Sequence, residues 1–137
     1  MKAVYPVIFT QTDTNVLVEV PDLKILTEGK DMMDAIDMAR DAIGLKGISM
    51  EDDSQELPIG SKLSEVDLSK GTFAEDGVSY VSFVDIDFTE YRRKVDNKTV
   101  RRNVTLPNWL NQEAEKAHVN VSRVLQEALM EKLGVAK

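Results

Sequence analysis

Apolar and polar positions alternate early in the chain. Val4-Tyr5-Pro6-Val7-Ile8-Phe9-Thr10 predicts a first strand, and Val16-Leu17-Val18-Glu19-Val20 a second. Asp13-Thr14-Asn15 between them carries turn chemistry, so the two form a hairpin. Pro21-Asp22 ends the second strand, and Leu23–Thr27 offers a short third one. The period then changes. Met32, Ile36, Ala39 and Ile43 fall at helical spacing behind Asp31, a suitable N-cap, with Asp34 adding negative charge in the first turn. Gly44 is expected to stop this helix. Residues 45–77 have no clear period and include an acidic loop, Glu51-Asp52-Asp53-Ser54-Gln55-Glu56. Ser79–Phe88 predicts a long strand, with Tyr80, Ser82, Val84, Ile86 and Phe88 on one face and Val81, Phe83, Asp85 and Asp87 on the other. Residues 1–90 thus form a small α+β domain, an antiparallel sheet with one helix packed on it.

Residues 91–98 are charged and weakly apolar, as expected of a linker with some helix. The pattern changes again over residues 99–137. Thr99-Val100-Arg101-Arg102-Asn103-Val104-Thr105-Leu106 predicts a short strand. Pro107 follows at the first position of a helix whose buried face is Trp109, Leu110, Ala114 and Ala117. His118-Val119 ends it. Asn120 caps a second helix with Val121, Val124, Leu125, Ala128, Leu129 and Leu133 in its stripe, and Gly134 closes that helix.

One strand and two helices in about forty residues bury too little surface to be stable alone. A lone strand also leaves its backbone groups unpaired. Two copies resolve both problems when their strands pair antiparallel about a twofold axis. Such a two-stranded ribbon fits the DNA major groove. Val100, Val104 and Leu106 then face the helices, and Arg101, Asn103 and Thr105 face outward as candidate base contacts. Their chemistry suits guanine, adenine, and a polar edge or thymine methyl respectively. Arg102 interrupts the inward set and is expected at the ribbon edge, reaching phosphate. Asn120, Ser122 and Arg123, at the start of the second helix, are the other candidate phosphate contacts.

Charge sharpens this division. The chain of 137 residues has net charge −7. Residues 1–90 hold 7 Lys and Arg against 19 Asp and Glu, net −12, whereas residues 91–137 hold 10 against 5, net +5. The first part suits a basic partner and the second a polyanion. There is no cysteine, which excludes disulfides, thiolate metal sites and cysteine nucleophiles. No apolar run approaches the length of a membrane span, and Met1-Lys2-Ala3-Val4-Tyr5-Pro6 is unlike a signal peptide. A cytoplasmic protein is expected.

The motifs also resemble known families. Val104-Thr105-Leu106-Pro107 with Trp109-Leu110, followed by Asn120-Val121-Ser122-Arg123 and Leu125-Gln126-Glu127-Ala128-Leu129, resembles ribbon-helix-helix repressors and antitoxins. Tyr5-Pro6-Val7-Ile8-Phe9, Val18-Glu19-Val20-Pro21-Asp22-Leu23, Thr27-Glu28-Gly29, Ala35-Ile36–Ala39 and Leu57-Pro58, in that order, resemble the HicB antitoxin family. The resemblance implies a partial ribonuclease-H-like domain over residues 1–90. That domain would bind a HicA-type toxin, a small basic ribonuclease, and block its active site. It also implies a ribbon-helix-helix domain over 99–137 that forms a homodimer, binds operator DNA and represses the operon. Glu19, Asp22 and Glu28, near strand ends and turns, are the candidate toxin contacts.

Catalysis is not expected. Ribonuclease H chemistry needs carboxylates holding two Mg²⁺ ions, one of them on the central first strand. Val4–Thr10 contains no acid. Asp85 and Asp87 share a strand face, but a pair at that spacing near a strand end is ordinarily solvated. His118 is the only histidine and sits at a helix end, where helix carbonyls are its natural partners. No catalytic residue, metal site or cofactor is therefore assigned. Two alternatives remain: a ribbon-helix-helix repressor whose first domain senses a small molecule, and a metal-dependent nuclease with a DNA-targeting tail.

Overall fold

The computed structural model describes residues 1–96 and 99–135. The chain forms two compact units, Met1–Asn97 and Lys98–Lys137. The first contains β1 (Lys2–Gln11), β2 (Val16–Val20), β3 (Ile25–Gly29), α1 (Met32–Asp52), β4 (Val78–Asp87) and α2 (Phe88–Val95). The second contains α3 (Asn108–Lys116) and α4 (Val121–Leu133). Among the described residues, no helix is long and apolar enough to cross a membrane.

The four strands make one sheet in the order β3-β2-β1-β4, with every pairing antiparallel. The hairpin register follows from alternation: Phe9 lies opposite Val18, so the apolar sets of β1 and β2 share a face. Tyr5, Val7, Phe9, Val16, Val18, Val20, Val84 and Ile86 are buried on that face together with Ala35, Ala39 and Ile43 of α1. The third strand starts later than Leu23. Pro21–Leu23 form a 3-10 turn, and Lys24 takes a left-handed conformation at φ 54° before β3 begins.

α1 starts where the sequence predicts. Asp31 accepts a hydrogen bond from the Asp34 N–H at 2.8 Å, and the Asp34 carboxylate accepts one from the Lys30 N–H at 2.8 Å. Its end differs from expectation. The helix runs through Gly44 to Asp52, so Glu51 and Asp52 belong to its last turn, not to a loop. Gly44 does not take the positive φ of a helix stop. It makes room: a Cβ there would lie 2.6 Å from the Tyr91 ring, and one at Gly47 would meet the buried Phe88 ring. Both rings belong to α2.

That contact also revises the expected linker. Residues 91–95 are helical and belong to the first unit. Asn97 and Lys98, the end of the expected linker, lie outside the described residues, as do Ala136 and Lys137. Asp87 caps α2 by accepting from the N–H groups of Thr89 and Glu90 at 3.1 and 3.3 Å. The Tyr91 hydroxyl donates to Asp41 at 2.8 Å, and burial with this acidic neighbour pushes its pKa up to about 12. Arg92 donates to the Ile48 carbonyl, Glu51 and Asp52 at 3.4, 3.0 and 3.1 Å, tying α2 to the carbonyl end of α1.

Residues 53–77 cross the sheet with little regular structure. The Tyr5 hydroxyl donates to the Pro58 carbonyl at 2.8 Å, and Gly60 lies against the Val4 carbonyl. Short 3-10 turns follow at Leu63–Glu65 and Leu68–Lys70. This strap covers Ile8 and Thr10 on the sheet face opposite α1, where Gly71 approaches Ile8.

The glycine contacts generate a prediction. Gly47→Ala gains about 1 kcal/mol of helix propensity. It also forces a methyl group into a buried ring, and overpacking costs about 1–3 kcal/mol. The net expectation is a lower urea midpoint. An unchanged or raised midpoint would show that α2 does not seat on α1 through this ring.

Candidate functional site

The second unit begins with residues 99–106, which have no regular secondary structure in the single chain. The predicted strand is absent for a physical reason: among the described residues it has no ladder partner, and a strand is defined by its partner. Pro107 is the N-cap of α3, and the helix starts one residue later than predicted, at Asn108. α3 stops at Lys116, and His118 makes the turn in a left-handed conformation at φ 54°. Asn120 then caps α4, its side-chain oxygen accepting from the Arg123 N–H at 3.1 Å. Gly134 closes α4 with φ 69°.

None of the described residues in this unit is buried. Val100, Val104 and Leu106, expected to face a core, are exposed, Val100 at 85%. Trp109 is 67% exposed, and Leu110, Val121, Val124, Leu129 and Leu133 are exposed as well. These residues sit at the positions where the helical pattern predicts a buried stripe. Burying each such side chain is worth about 1.5–3 kcal/mol. One copy of the unit therefore leaves a large stabilisation unused.

The predicted DNA contacts all lie on this unit. Arg101, Arg102, Asn103 and Thr105 are exposed within the unpaired segment. Ser122 and Arg123 are exposed on the first turn of α4. Arg123 pairs with Glu127 at 3.3 Å, an exposed contact between neighbouring turns that would cost little to exchange for phosphate. Asn120 has its side-chain oxygen committed to the cap.

The three predicted toxin contacts lie in the first unit, and each already holds a loop. Glu19 accepts from the N–H and hydroxyl of Thr72 at 2.9 and 2.7 Å. Asp22 accepts from the N–H and hydroxyl of Ser61 at 2.8 and 2.6 Å. Glu28 accepts from the Asn15 amide at 2.9 Å, closing the hairpin turn. Glu19 and Asp22 thus pin the strap onto the sheet. Charged hydrogen bonds of this kind contribute up to about 1.5–3 kcal/mol where water is kept away. They line an open groove of about 380 Å³ with Glu65, Asp67 and Lys70.

The two acids weighed for metal chemistry also have other roles. Asp85 accepts from Arg40 at 3.3 Å, and Asp87 is the cap of α2. Among the described residues, no group of three or more histidines and carboxylates is placed to hold a metal ion.

Known proteins are similar to this chain over most of its length. Residues 5–129 match the family described as HicB_like antitoxin of bacterial toxin-antitoxin system. A chain from a toxin-antitoxin complex of Streptococcus pneumoniae is similar at 25% identity and a TM-score of 0.62, over 96% of this chain and 99% of that one. The antitoxin HicB of Burkholderia pseudomallei shares the fold at 22% identity and a TM-score of 0.52, over 98% and 99% of the two chains. No protein with a curated description matches in sequence. The family match spans the sheet, the strap and most of α4, so the chain belongs to the HicB-like antitoxin family of bacterial toxin-antitoxin systems.

Proposed function

We propose that this chain neutralises a HicA-type, mRNA-cleaving ribonuclease toxin through its first unit and represses its own operon through its second. The observation that carries this reading is the family match across both units, whose charges are opposite. A ribonuclease must present a basic surface to RNA. A unit of net −10, with 10 Lys and Arg against 20 Asp and Glu over residues 1–97, is suited to capture and cover such a surface, and charge matching speeds that capture. Glu19, Asp22 and Glu28 add to this field while holding the strap and the hairpin. The chain performs no catalysis in this account and needs no cofactor. Its work is done in the cytoplasm, where both mRNA and operator are found.

The second unit acts as a homodimer. Two copies of residues 99–106 pair into a ribbon, and the exposed apolar faces of α3 and α4 become a shared core. Arg101, Asn103 and Thr105 then read base edges. Arg102, Asn120, Ser122 and Arg123 hold phosphates, fixing register without reading sequence.

Two outcomes are expected. Co-expressing the chain with a HicA-type toxin from the same genome restores growth that the toxin alone arrests. Continued arrest, with both proteins present, would contradict the toxin-neutralising role. Separately, Arg101→Ala weakens operator binding by about 1–3 kcal/mol in a gel-shift titration and leaves the dimer intact in sedimentation. Unchanged affinity would mean that the opposite face of the segment meets DNA.

A further inference from the structure

Glu19 and Asp22 are occupied by the strap and Glu28 by Asn15 of the hairpin turn, which directs attention to surface that is not. On the sheet face away from α1, Val4 lies opposite Asp85 and Pro6 opposite Phe83, so Val4, Phe83 and Asp85 share that face. The strap covers the other end of the face but leaves this end open. Val4 is 45% exposed and Phe83 48%. Beside them the strap presents Ile59 at 95% exposure, with Gly60 held against the Val4 carbonyl. Two depressions of about 320 and 450 Å³ share Lys2, Ala3 and Val4, and extend to Ile59 on one side and Asp85 on the other. β4 is also the outer strand of the sheet, and beside the patch Arg40 holds its edge by donating to the Asp85 carbonyl at 3.0 Å.

Single exposed apolar side chains are ordinary. Three on neighbouring positions, next to an exposed carboxylate, have the make-up of a binding hot spot. Charge selects the occupant. A second copy of this unit would bring another net −10 against the first, and like charges oppose that contact. A net-basic protein meets no such barrier.

We infer that Val4, Ile59 and Phe83 form the anchor surface for a small basic protein, which sets an apolar side chain between them and a Lys or Arg beside Asp85. This inference rests on the toxin-neutralising role and names where on the first unit the toxin docks. The apolar anchor slows dissociation, while the field of the whole unit speeds encounter. Asp85 stays exposed despite its bond from Arg40, so a partner's cation can share it.

The test uses the full chain and, as the small basic protein, a HicA-type toxin from the same genome, with affinity read by calorimetry. Ile59→Ser alters an almost fully exposed side chain, so it tests the surface without threatening the fold. Ile59→Ser/Phe83→Ser extends the test, with thermal unfolding and operator binding as controls. The double variant is expected to bind the basic protein at least tenfold more weakly, and Ile59→Ser severalfold more weakly, with operator binding unchanged. If the wild-type chain binds and both variants bind as tightly, the docking site lies elsewhere, while the toxin-neutralising role stands. If the wild-type chain itself does not bind, that role fails and this inference with it. If the variants instead lower the oligomeric state of the chain alone, the patch joins copies of the chain and the inference is overturned.

Discussion

A β-strand must find partners for its backbone, and this requirement shapes the two units differently. In the first, β1 pairs along its whole length with β4. On its other side, residues 8–11 pair with β2. The earlier residues meet the strap, where Tyr5 bonds Pro58 and Gly60 contacts Val4. β2, β4, α1 and α2 all contact that strand, and β3 extends the sheet beyond β2. In the second unit the corresponding need goes unmet within one chain. Residues 99–106 have no partner, and the helices that follow expose the side chains their periodicity marks for burial. The first unit can therefore stand as a scaffold, and the proposed pairing with another copy would meet the need of the second.

What could be read from sequence divides along the same line. Periodicity alone located β1, β2, β4, α1 and both helices of the second unit, because burial on one face imposes alternation or a helical stripe. Caps were legible where the side chain serves the backbone directly, as at Asp31 and Asn120, and where glycine takes a left-handed conformation, as at Gly134. Gly44 misled because glycine has two uses. It can adopt positive φ or it can yield space, and only the Tyr91 ring decides for the second. The linker was misjudged for the same reason: Arg92 and Tyr91 look solvated in isolation, and their partners lie about forty to fifty residues earlier in the chain.

The candidate sites show a similar limit. The outward trio Arg101, Asn103 and Thr105 follows from alternation once pairing is granted, and it needs no long-range contact. Glu19 and Asp22 could not be assigned that way, since Thr72 and Ser61 come to them through an irregular segment. Ile59 did leave a trace in the sequence, as an apolar residue between Pro58 and Gly60 in a stretch otherwise built as a turn. In the proposed function, opposite charge on the two units separates their partners: the acidic unit would disfavour DNA and the basic segment would favour it. One chain can then engage a protein and a nucleic acid without either competing for the same surface.

The central claim is that the second unit completes its fold only with a second copy. Trp109 is the one tryptophan of the chain and belongs to the face that pairing would cover, so its fluorescence reports on this step without a label. On dilution from micromolar to nanomolar concentration, its emission is expected to shift to the red in step with a fall from dimer to monomer mass in sedimentation. An emission maximum fixed at that of exposed tryptophan, with monomer mass at every concentration, would contradict the account.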